Sequence, residues 1–339
     1  MTASIRDVAR EAGVSVGTVS NVLNRPDRVA ATTIARVHAA IEQLGFVRND
    51  AARQLRAGRS RSFGLVVLDT RNPFFMDVAH GAQSRALDDG YTVLMGGSDD
   101  SSARESSLLE MFEEHRVAGV LITPVHTDLA QLRKLRDSGI PVVLVDRGSS
   151  DRSLPSVSVD DVEGGRIAAR HLLEIGRTRI AFVGGPRSIE QVADRLAGVT
   201  EVLAGQRSAA LEVFETEALS VLEGRRIGEE LALLPAESRP DAVFAANDLL
   251  ALGVLQALVM TGSLRVPEDI ALIGYDDIDF THSAVVPITS VRQPAFEIGS
   301  TAVELLLREA APGGERVREQ IVFQPELVVR ASTRPAAEG

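Results

Sequence analysis

The sequence predicts a small all-α unit at the N-terminus, followed by an α/β domain built as two doubly wound lobes. Three observations support this fold class. The first sixty or so residues contain short segments with apolar residues at helical spacing. Beyond residue 61, continuous apolar segments alternate with amphipathic ones, a pattern typical of parallel βαβ units. This alternation runs through two successive sets, which indicates two similar lobes, and 339 residues allow two or three domains.

Charge is distributed unevenly along the chain. The net charge is −11, but residues 1–61 hold ten Arg and five acidic residues, a net of +5, which leaves −16 for the rest. A basic segment joined to an acidic body is typical of a protein in which one small domain meets nucleic-acid phosphates. The chain has no Cys, which excludes disulfides, thiolate metal sites and a cysteine nucleophile.

The first two helices are predicted to begin at Ser4 and near Ser15. Ser4 and Asp7 have the spacing of a capping box, and Gly13 is expected to end the first helix. In the second helix, apolar residues at i, i+3 and i+7 predict an inward-facing stripe, formed by Val16, Val19 and Leu23. The small or polar residues off this stripe are Gly17, Thr18, Asn21 and, at its edge, Ser20.

A third helix is predicted to end at Gly45. It carries four apolar residues at helical spacing, Ile34, Val37, Ile41 and Leu44. Three short helices with a tight turn between the first two form a helix-turn-helix unit, which presents a helix with a small, hydrogen-bonding outer face to the major groove of DNA. Spacing alone is equally compatible with an ordinary three-helix cap, so both alternatives stay open at this point.

Two segments carry a family resemblance. SIRDVAREAGVSVGTVSNVLN (4–24) closely resembles the DNA-binding start of the lactose-repressor (LacI) family of bacterial transcription factors, and LGFVRNDAARQLRAGRS (44–60) resembles the hinge that follows it. The resemblance implies a helix-turn-helix DNA-binding domain over 1–47, a hinge helix over 48–61, and a two-lobed effector-binding and dimerisation domain over 62–339.

The resemblance also assigns roles to individual residues. In the helix-turn-helix domain (1–47), called the head below, the implied DNA contacts are Ser4, Ser15, Val16, Gly17, Thr18, Ser20 and Asn21. Of these, Val16, Gly17 and Asn21 would determine which operator sequence is bound. In the hinge helix, capped by Asn49, Leu55 would wedge into the minor groove beside Ala52. Arg53 and Arg56 would attract phosphates. A charged linker is the alternative interpretation of this segment. The sequence departs from the family pattern at two positions. Arg48 stands where the family usually has Pro, and Ala30 stands where it usually has Ser.

Nine apolar segments beyond residue 61 are predicted as buried strands, at 63–69, 91–97, 118–124, 141–146, 157–160, 179–185, 211–215, 242–247 and 270–276. Helices are predicted near 74–90, 103–116 and 128–138. The motifs RNPFF, DRLAG, AND and GYDD resemble those of the periplasmic-binding-protein-like effector domain of the same family. The resemblance implies one lobe from residues near 62–159 and 293–320, and a second lobe from the rest.

Ligands of α/β sheets bind at the carboxyl ends of the strands, and polar residues stand at those ends here. A sugar needs an apolar platform for its ring and charged or amide groups for its hydroxyls. We expect the platform from Phe74 and Phe75, one of which would serve only the core. The polar candidates are Asp146, Arg195, Asn247 and Asp276, with Gln191 and Gln293 as secondary ones.

Three further residues qualify this prediction. Asp248 and Asp277 also follow strands, but we expect them mainly to cap helices. Near Leu219 some relatives carry a stacking aromatic residue, and its absence here argues against large or multi-ring sugars.

Motifs of several enzyme classes are missing. No Gly-x-Gly-x-x-Gly follows the first strand, there is no Walker loop or Gly-x-Ser-x-Gly, and the six His lack metal-binding spacing. We therefore expect no enzyme, no cofactor and no metal. The main alternative is a solute-binding protein without DNA function, although that would call for a secretion signal and would not need the basic head.

The expected protein is a cytoplasmic transcriptional regulator, in the first place a repressor. Its expected partners are near-palindromic double-stranded operator DNA, a small-molecule effector such as a sugar, and a second copy of the chain. The C-terminal residues VVRASTRPAAEG lack the leucine heptad that makes the lactose repressor a tetramer, so a homodimer is expected. No membrane partner is expected, because no stretch of about 18 apolar residues exists.

Overall fold

The computed structural model describes residues 3–46, 60–125, 128–149, 152–262, 264–311 and 316–334. The chain divides into two compact units, Met1–Ser60 and Arg61–Gly339. The predicted hinge falls largely within 47–59, outside the described residues, so the predicted domain boundaries stay predictions. Among the described residues, no helix is both long and apolar enough to cross a membrane.

The first unit contains the three predicted helices, α1 (Ile5–Glu11), α2 (Val16–Asn24) and α3 (Ala31–Leu44). The capping box is confirmed, since Ser4 N donates to Asp7 Oδ2 at 3.0 Å and Asp7 N donates to Ser4 Oγ at 3.4 Å. The glycines that follow α1 and α3 adopt left-handed backbone conformations, with φ of +62° and +58°. Glycine has no Cβ to clash there, which is why these residues mark helix ends.

The core of this unit is built from small side chains. Its fully buried members are Val8, Ala9, Ala12, Val19, Val22, Val37 and Ala40. The predicted inward stripe of α2 is wrong in one respect: Val16 is 39% exposed, whereas Val22 is buried. Val16, Val19, Val22 and Leu23 fit two overlapping apolar stripes, so spacing alone could not orient the helix. The buried face lies between Val19 and Val22, and Val16 belongs to the outer face.

The second unit contains two six-stranded sheets. The first has the order β11-β5-β4-β3-β1-β2 and is parallel throughout. Its strands are β1 (Ser62–Val67), β2 (Thr92–Gly97), β3 (Gly119–Ile122), β4 (Val142–Val145), β5 (Ser156–Val159) and β11 (Gln320–Phe323). All residues of β3, β4 and β5 are buried, because helices cover both faces of a parallel sheet.

The second sheet has the order β12-β10-β9-β8-β6-β7, and only β12 runs antiparallel to its neighbour. Its strands are β6 (Arg179–Val183), β7 (Ala210–Phe214), β8 (Ala242–Ala245), β9 (Ala271–Asp276), β10 (Thr289–Arg292) and β12 (Glu326–Val328). The nine predicted strands are confirmed. Strands β10, β11 and β12 were not predicted, because they are short and interrupted by polar residues.

Helices flank both sheets. They are α4 (Pro73–Asp88), α5 (Ser102–Glu114), α6 (Ala130–Asp137), α7 (Asp161–Glu174), α8 (Glu190–Ala204), α9 (Val221–Leu233), α10 (Asp248–Thr261), α11 (Asp279–His282) and α12 (Ala295–Ala310). The pairs α4–α12, α7–α8 and α9–α10 pack closely. The helices predicted near 74–90, 103–116 and 128–138 are confirmed as α4, α5 and α6.

The chain passes between the two lobes three times. It crosses after β5, again between β10 and α12, and finally between β11 and β12. The predicted division of residues between the lobes is therefore confirmed, with the small extension that the first lobe continues through β11 to Phe323. The carboxyl ends of the strands in both sheets lead to the functional cavity described below.

Candidate functional site

A cavity of about 200 Å³ lies between the two lobes. All eight residues that the sequence analysis assigned to ligand binding line it: Phe74, Phe75, Asp146, Gln191, Arg195, Asn247, Asp276 and Gln293. Further lining residues are Leu68, Asp69, Arg71, Asn72, Asp99, Asp100, Ile189, Glu217, Ala218 and Leu219. The two lobes bring these positions together because each polar candidate ends or follows a strand, or stands in the first turns of a helix that begins there.

The apolar part of the wall comes mainly from Phe74 and Phe75 at the start of α4. Their rings meet edge to face with centroids 5.1 Å apart, and both side chains are buried in the core of the first lobe. We expected one of them to be a core residue only, and this was wrong, because both also line the cavity. Two consecutive residues in the first turn of a helix can share one packing site when their rings stack at an angle.

Three contacts hold the Arg195 side chain in place. Its Nε donates to Asp161 Oδ1 at 2.8 Å, its Nη1 donates to the Ala246 carbonyl at 2.6 Å, and its guanidinium carbon lies 3.6 Å from the ring centroid of Tyr275. The side chain is only 4% exposed. A Cβ at Gly165 would lie 2.1 Å from the Arg195 carbonyl oxygen, so glycine allows α7 to approach α8 at this point.

Asp276, the last residue of β9, accepts hydrogen bonds from two sides. Gln293 Nε2 donates to its Oδ1 at 2.8 Å and Asn72 Nδ2 donates to its Oδ2 at 3.1 Å. Burial raises the pKa of Asp276 to about 6, against the lowering effects of Arg195 and of these two hydrogen bonds. Asn72 was not among the predicted site residues. Its signal was the RNPFF motif in the loop between β1 and α4, and its Oδ1 also caps α4 by accepting from Phe74 N at 3.1 Å.

Asp146, the residue after β4, binds across the lobes to Gln191. Gln191 Nε2 donates to the Asp146 carbonyl at 2.6 Å and to its Oδ2 at 2.9 Å. Burial, and then the charge of Asp161, raise the pKa of Asp146 well above its ordinary value. Among the described residues that line the cavity, Asp146 Oδ1 and Gln293 Oε1 are buried without a hydrogen-bond partner. Buried acceptors without partners are costly, and a ligand hydroxyl would satisfy them.

Both aspartates occupy an unusual backbone region. The φ angle is +57° at Asp146 and +104° at Asp276. Residues other than Gly, Asn and Asp rarely adopt a positive φ angle. Strained backbone conformations of this kind are concentrated at binding and catalytic sites.

The predicted capping roles of Asp248 and Asp277 are wrong. Asn247 caps α10, because its Oδ1 accepts from Leu250 N at 3.0 Å. Asp248 instead accepts from Ile278 N at 2.9 Å and from Ser290 Oγ at 2.7 Å, which ties the loop after β9 to the sheet. Asp277 forms ion pairs, with Arg292 at 2.7 Å and with Arg330 at 2.6 Å.

A second set of candidate residues lies on the outer face of α2. Val16, Gly17 and Asn21 are exposed, whereas Thr18 and Ser20 are half-buried. Ser15 caps the helix, accepting from Thr18 N at 3.0 Å. This exposed face of small and polar residues has the character that a helix needs in order to enter the major groove. The remaining predicted contacts, Asn49, Ala52, Arg53, Leu55 and Arg56, lie outside the described residues.

A helix-turn-helix unit and a two-lobed domain with a polar cavity between its lobes define a DNA-binding protein that senses a small molecule. Comparison with known proteins agrees. Residues 4–49 match the family described as bacterial regulatory proteins, lacI family, and residues 169–333 match the periplasmic binding protein-like domain. The chain is 34% identical to the transcriptional repressor PurR of Aliivibrio salmonicida, over 97% of this chain and 98% of the relative.

Other relatives and solved structures are similar over most of the chain. The ribose operon repressor of Bacillus subtilis is 37% identical, over 90% of this chain and 91% of the relative. The structure of the lac repressor dimer bound to operator and an anti-inducer has a TM-score of 0.84 at 27% identity, covering 98% of this chain and 99% of that chain. A LacI-family regulator from Enterococcus faecium with bound ribose has a TM-score of 0.71 at 28% identity, covering 81% of this chain and 100% of that chain.

The chain therefore belongs to the lacI family of bacterial regulatory proteins, and it is a transcriptional regulator. The match over residues 4–49 disfavours the alternative of a solute-binding protein without DNA function.

Proposed function

We propose that the chain is a cytoplasmic repressor that binds a near-palindromic operator as a homodimer and is controlled by a sugar with a single ring. The observation that carries this proposal is the convergence of Phe74, Phe75, Arg195 and two buried aspartates on one cavity. The ligand would be bound and released unchanged, without turnover.

A sugar suits the chemistry of the cavity wall. The Phe74–Phe75 pair offers an apolar surface for a ring face, while Asp146 Oδ1 and Gln293 Oε1 are acceptors that a hydroxyl can satisfy. Leu219 offers no aromatic surface on which a second ring could stack, which supports a single-ring ligand. The ribose operon repressor among the relatives and the ribose-bound regulator among the solved structures support the same class.

Three contacts between the lobes support control by lobe closure. Asn72 pairs with Asp276, Gln191 with Asp146, and Arg147 Nη2 with Glu190 Oε2 at 2.6 Å. A ligand that touches both walls stabilises the closed arrangement over any more open one. It can shift that equilibrium only by its differential affinity for the two arrangements.

The DNA contacts of the proposal come from the head and the hinge. Val16, Gly17 and Asn21 would read bases from the major groove, since Val can contact a thymine methyl and Asn can pair with adenine. Leu55 would wedge between base pairs in the minor groove at the centre of the operator. Leu55→Ala should then weaken binding to the operator more than binding to random duplex.

The test measures DNA binding in the presence and absence of sugars. Genomic fragments retained by the full-length protein would be identified by sequencing, and the preferred fragment used in gel shifts at moderate salt. A single-ring sugar should change the affinity for that fragment, and Arg195→Ala should remove the change while leaving a gel shift. Lack of preference for any fragment over random duplex, with and without sugars, would refute the proposal.

A further inference from the structure

The walls of the cavity hold more acidic than basic side chains. Six lining residues are carboxylates: Asp69, Asp99, Asp100, Asp146, Glu217 and Asp276. Only two are cationic, Arg71 and Arg195, and neither Lys nor His occurs among the described residues that line the cavity. The buried floor contains Asp146 and Asp276, whereas Asp99, Asp100 and Glu217 stand exposed at the mouth.

Both arginines are already neutralised by partners. Arg71 Nε lies 2.9 Å from Asp69 Oδ1. Arg195 Nε lies 2.8 Å from Asp161 Oδ1, and both of these side chains are about 95% buried. A pair of this kind holds its charges together in a medium of low dielectric, so Arg195 offers a ligand hydrogen-bond donors more than net positive charge.

An anion can also bind at a helix N-terminus, where backbone N–H groups lack partners. Asparagine side chains cap the N-termini of α4 and α10 beside this cavity. At α4, Asn72 Oδ1 accepts from Phe74 N. At α10, Asn247 Oδ1 accepts from Leu250 N. At α8, which also begins beside the cavity, no side chain caps the helix, but its first residue is Glu190, a carboxylate that pairs with Arg147.

We infer that the acidic side chains of the cavity make it accept an uncharged sugar and reject the phosphorylated and carboxylated forms of the same sugar. This inference rests on the proposed function and narrows its ligand class. A phosphate would enter past three exposed carboxylates, of which Asp99 pairs with Arg104, and would meet the carboxyl groups of Asp146 and Asp276 at the floor. The described lining residues offer it no unpaired cation. The regulator would thus respond to a sugar before the reaction that phosphorylates it, and a kinase acting on that sugar would remove the signal.

Matched pairs of ligands test the inference on the full-length protein. Isothermal titration would compare a panel of pentoses and hexoses with their phosphates, for example ribose with ribose 5-phosphate and glucose with glucose 6-phosphate, and galactose with galacturonate. For every sugar that binds, we expect the charged member to bind at least tenfold more weakly. Equal or tighter binding of a charged member overturns the inference and leaves the proposed sugar function standing. If no member of any pair binds, the proposed function fails, and the inference with it.

A charge variant separates electrostatics from size. The triple variant Asp99→Asn, Asp100→Asn and Glu217→Gln keeps the shape of the mouth and removes three negative charges. The ratio of affinities, uncharged over phosphorylated, should fall at least threefold, and added salt should lower it in the wild type too. The matched control is Asp137→Asn, an exposed carboxylate of α6 that does not line the cavity, and it should leave the ratio unchanged. An unchanged ratio in the triple variant would show that size alone excludes the phosphate, which overturns the inference.

Discussion

The head and the cavity carry their candidate binding residues in opposite ways. On α2, Val16, Gly17 and Asn21 are exposed, and the Ser15 cap joins residues only three positions apart. In the cavity the binding side chains are buried, and their partners are distant in the chain, as in the bond between Asn72 and Asp276. Binding residues on the head can therefore change at little cost in stability, whereas those of the cavity also hold the two lobes together.

The largest effect is expected for Arg195→Ala. It leaves Asp161 buried and unpaired, and breaking a buried ion pair costs about 3–5 kcal/mol. Urea unfolding of the full-length protein should show this loss in the second unit, and sugar binding should disappear. The control is Arg187→Ala, which removes an exposed ion pair with Glu215 and should cost less than about 1 kcal/mol. A loss below 1 kcal/mol for Arg195→Ala would mean that the cavity is less tied to stability than proposed.

In contrast, Asp276→Asn is expected to increase the free energy of unfolding. Burial raises the pKa of Asp276 from 3.8 to about 6, so at neutral pH its charged form destabilises the folded state. Asparagine removes this penalty, and its amide can donate to Gln293 Oε1, an acceptor without a partner among the described residues. We expect the sugar-free protein to gain about 3 kcal/mol at pH 7.5 and to lose sugar binding.

The pH dependence of that gain gives a sharper test. Above pH 6 the wild-type carboxylate is charged in both the folded and unfolded states, so the full gain is present. As the pH falls through 6, the folded-state carboxylate takes up a proton before the unfolded one does, so the gain should shrink and vanish well below pH 3.8. Asp269→Asn is the control, because Arg265 lowers the pKa of that exposed carboxylate, and its small effect should have the opposite sign. A gain that stays constant from pH 7.5 to pH 4 would exclude the charge of Asp276 as its cause.

Two valines of α2 in the head allow a matched pair of substitutions. Val19→Ala removes buried methyl groups and should cost about 2 kcal/mol of head stability, measured by hydrogen exchange of α2. Val16→Ala makes the same chemical change on the outer face, so stability should stay within about 0.5 kcal/mol. Operator affinity in gel shifts should fall several-fold for Val16→Ala. If Val16→Ala destabilised the head as much as Val19→Ala, the helix would be oriented as the first apolar stripe predicted.

The sequence predicted the cavity better than it predicted the contacts within it. The eight lining candidates could be found because parallel strands bring their carboxyl ends to one edge of a sheet, so residues of the same sheet such as Asn247 and Asp276 must converge. Asn72 could not be assigned in the same way, because its role depends on Asp276, which is 204 positions away. The orientation of α2 was undetermined, because Val16 and Val22 extend two equally good stripes. The roles of Asp248 and Asp277 depended on loops and short strands, which spacing does not specify.

The left-handed backbone at Asp146 and Asp276 limits how this regulator could acquire a new specificity. Only asparagine and glycine could replace either residue without added strain, and both lack the negative charge. Evolution or design toward another ligand would therefore act on positions whose backbone accepts any side chain, such as Leu219 in the opposite wall. The two aspartates would persist as fixed anchors while the surrounding wall diversified.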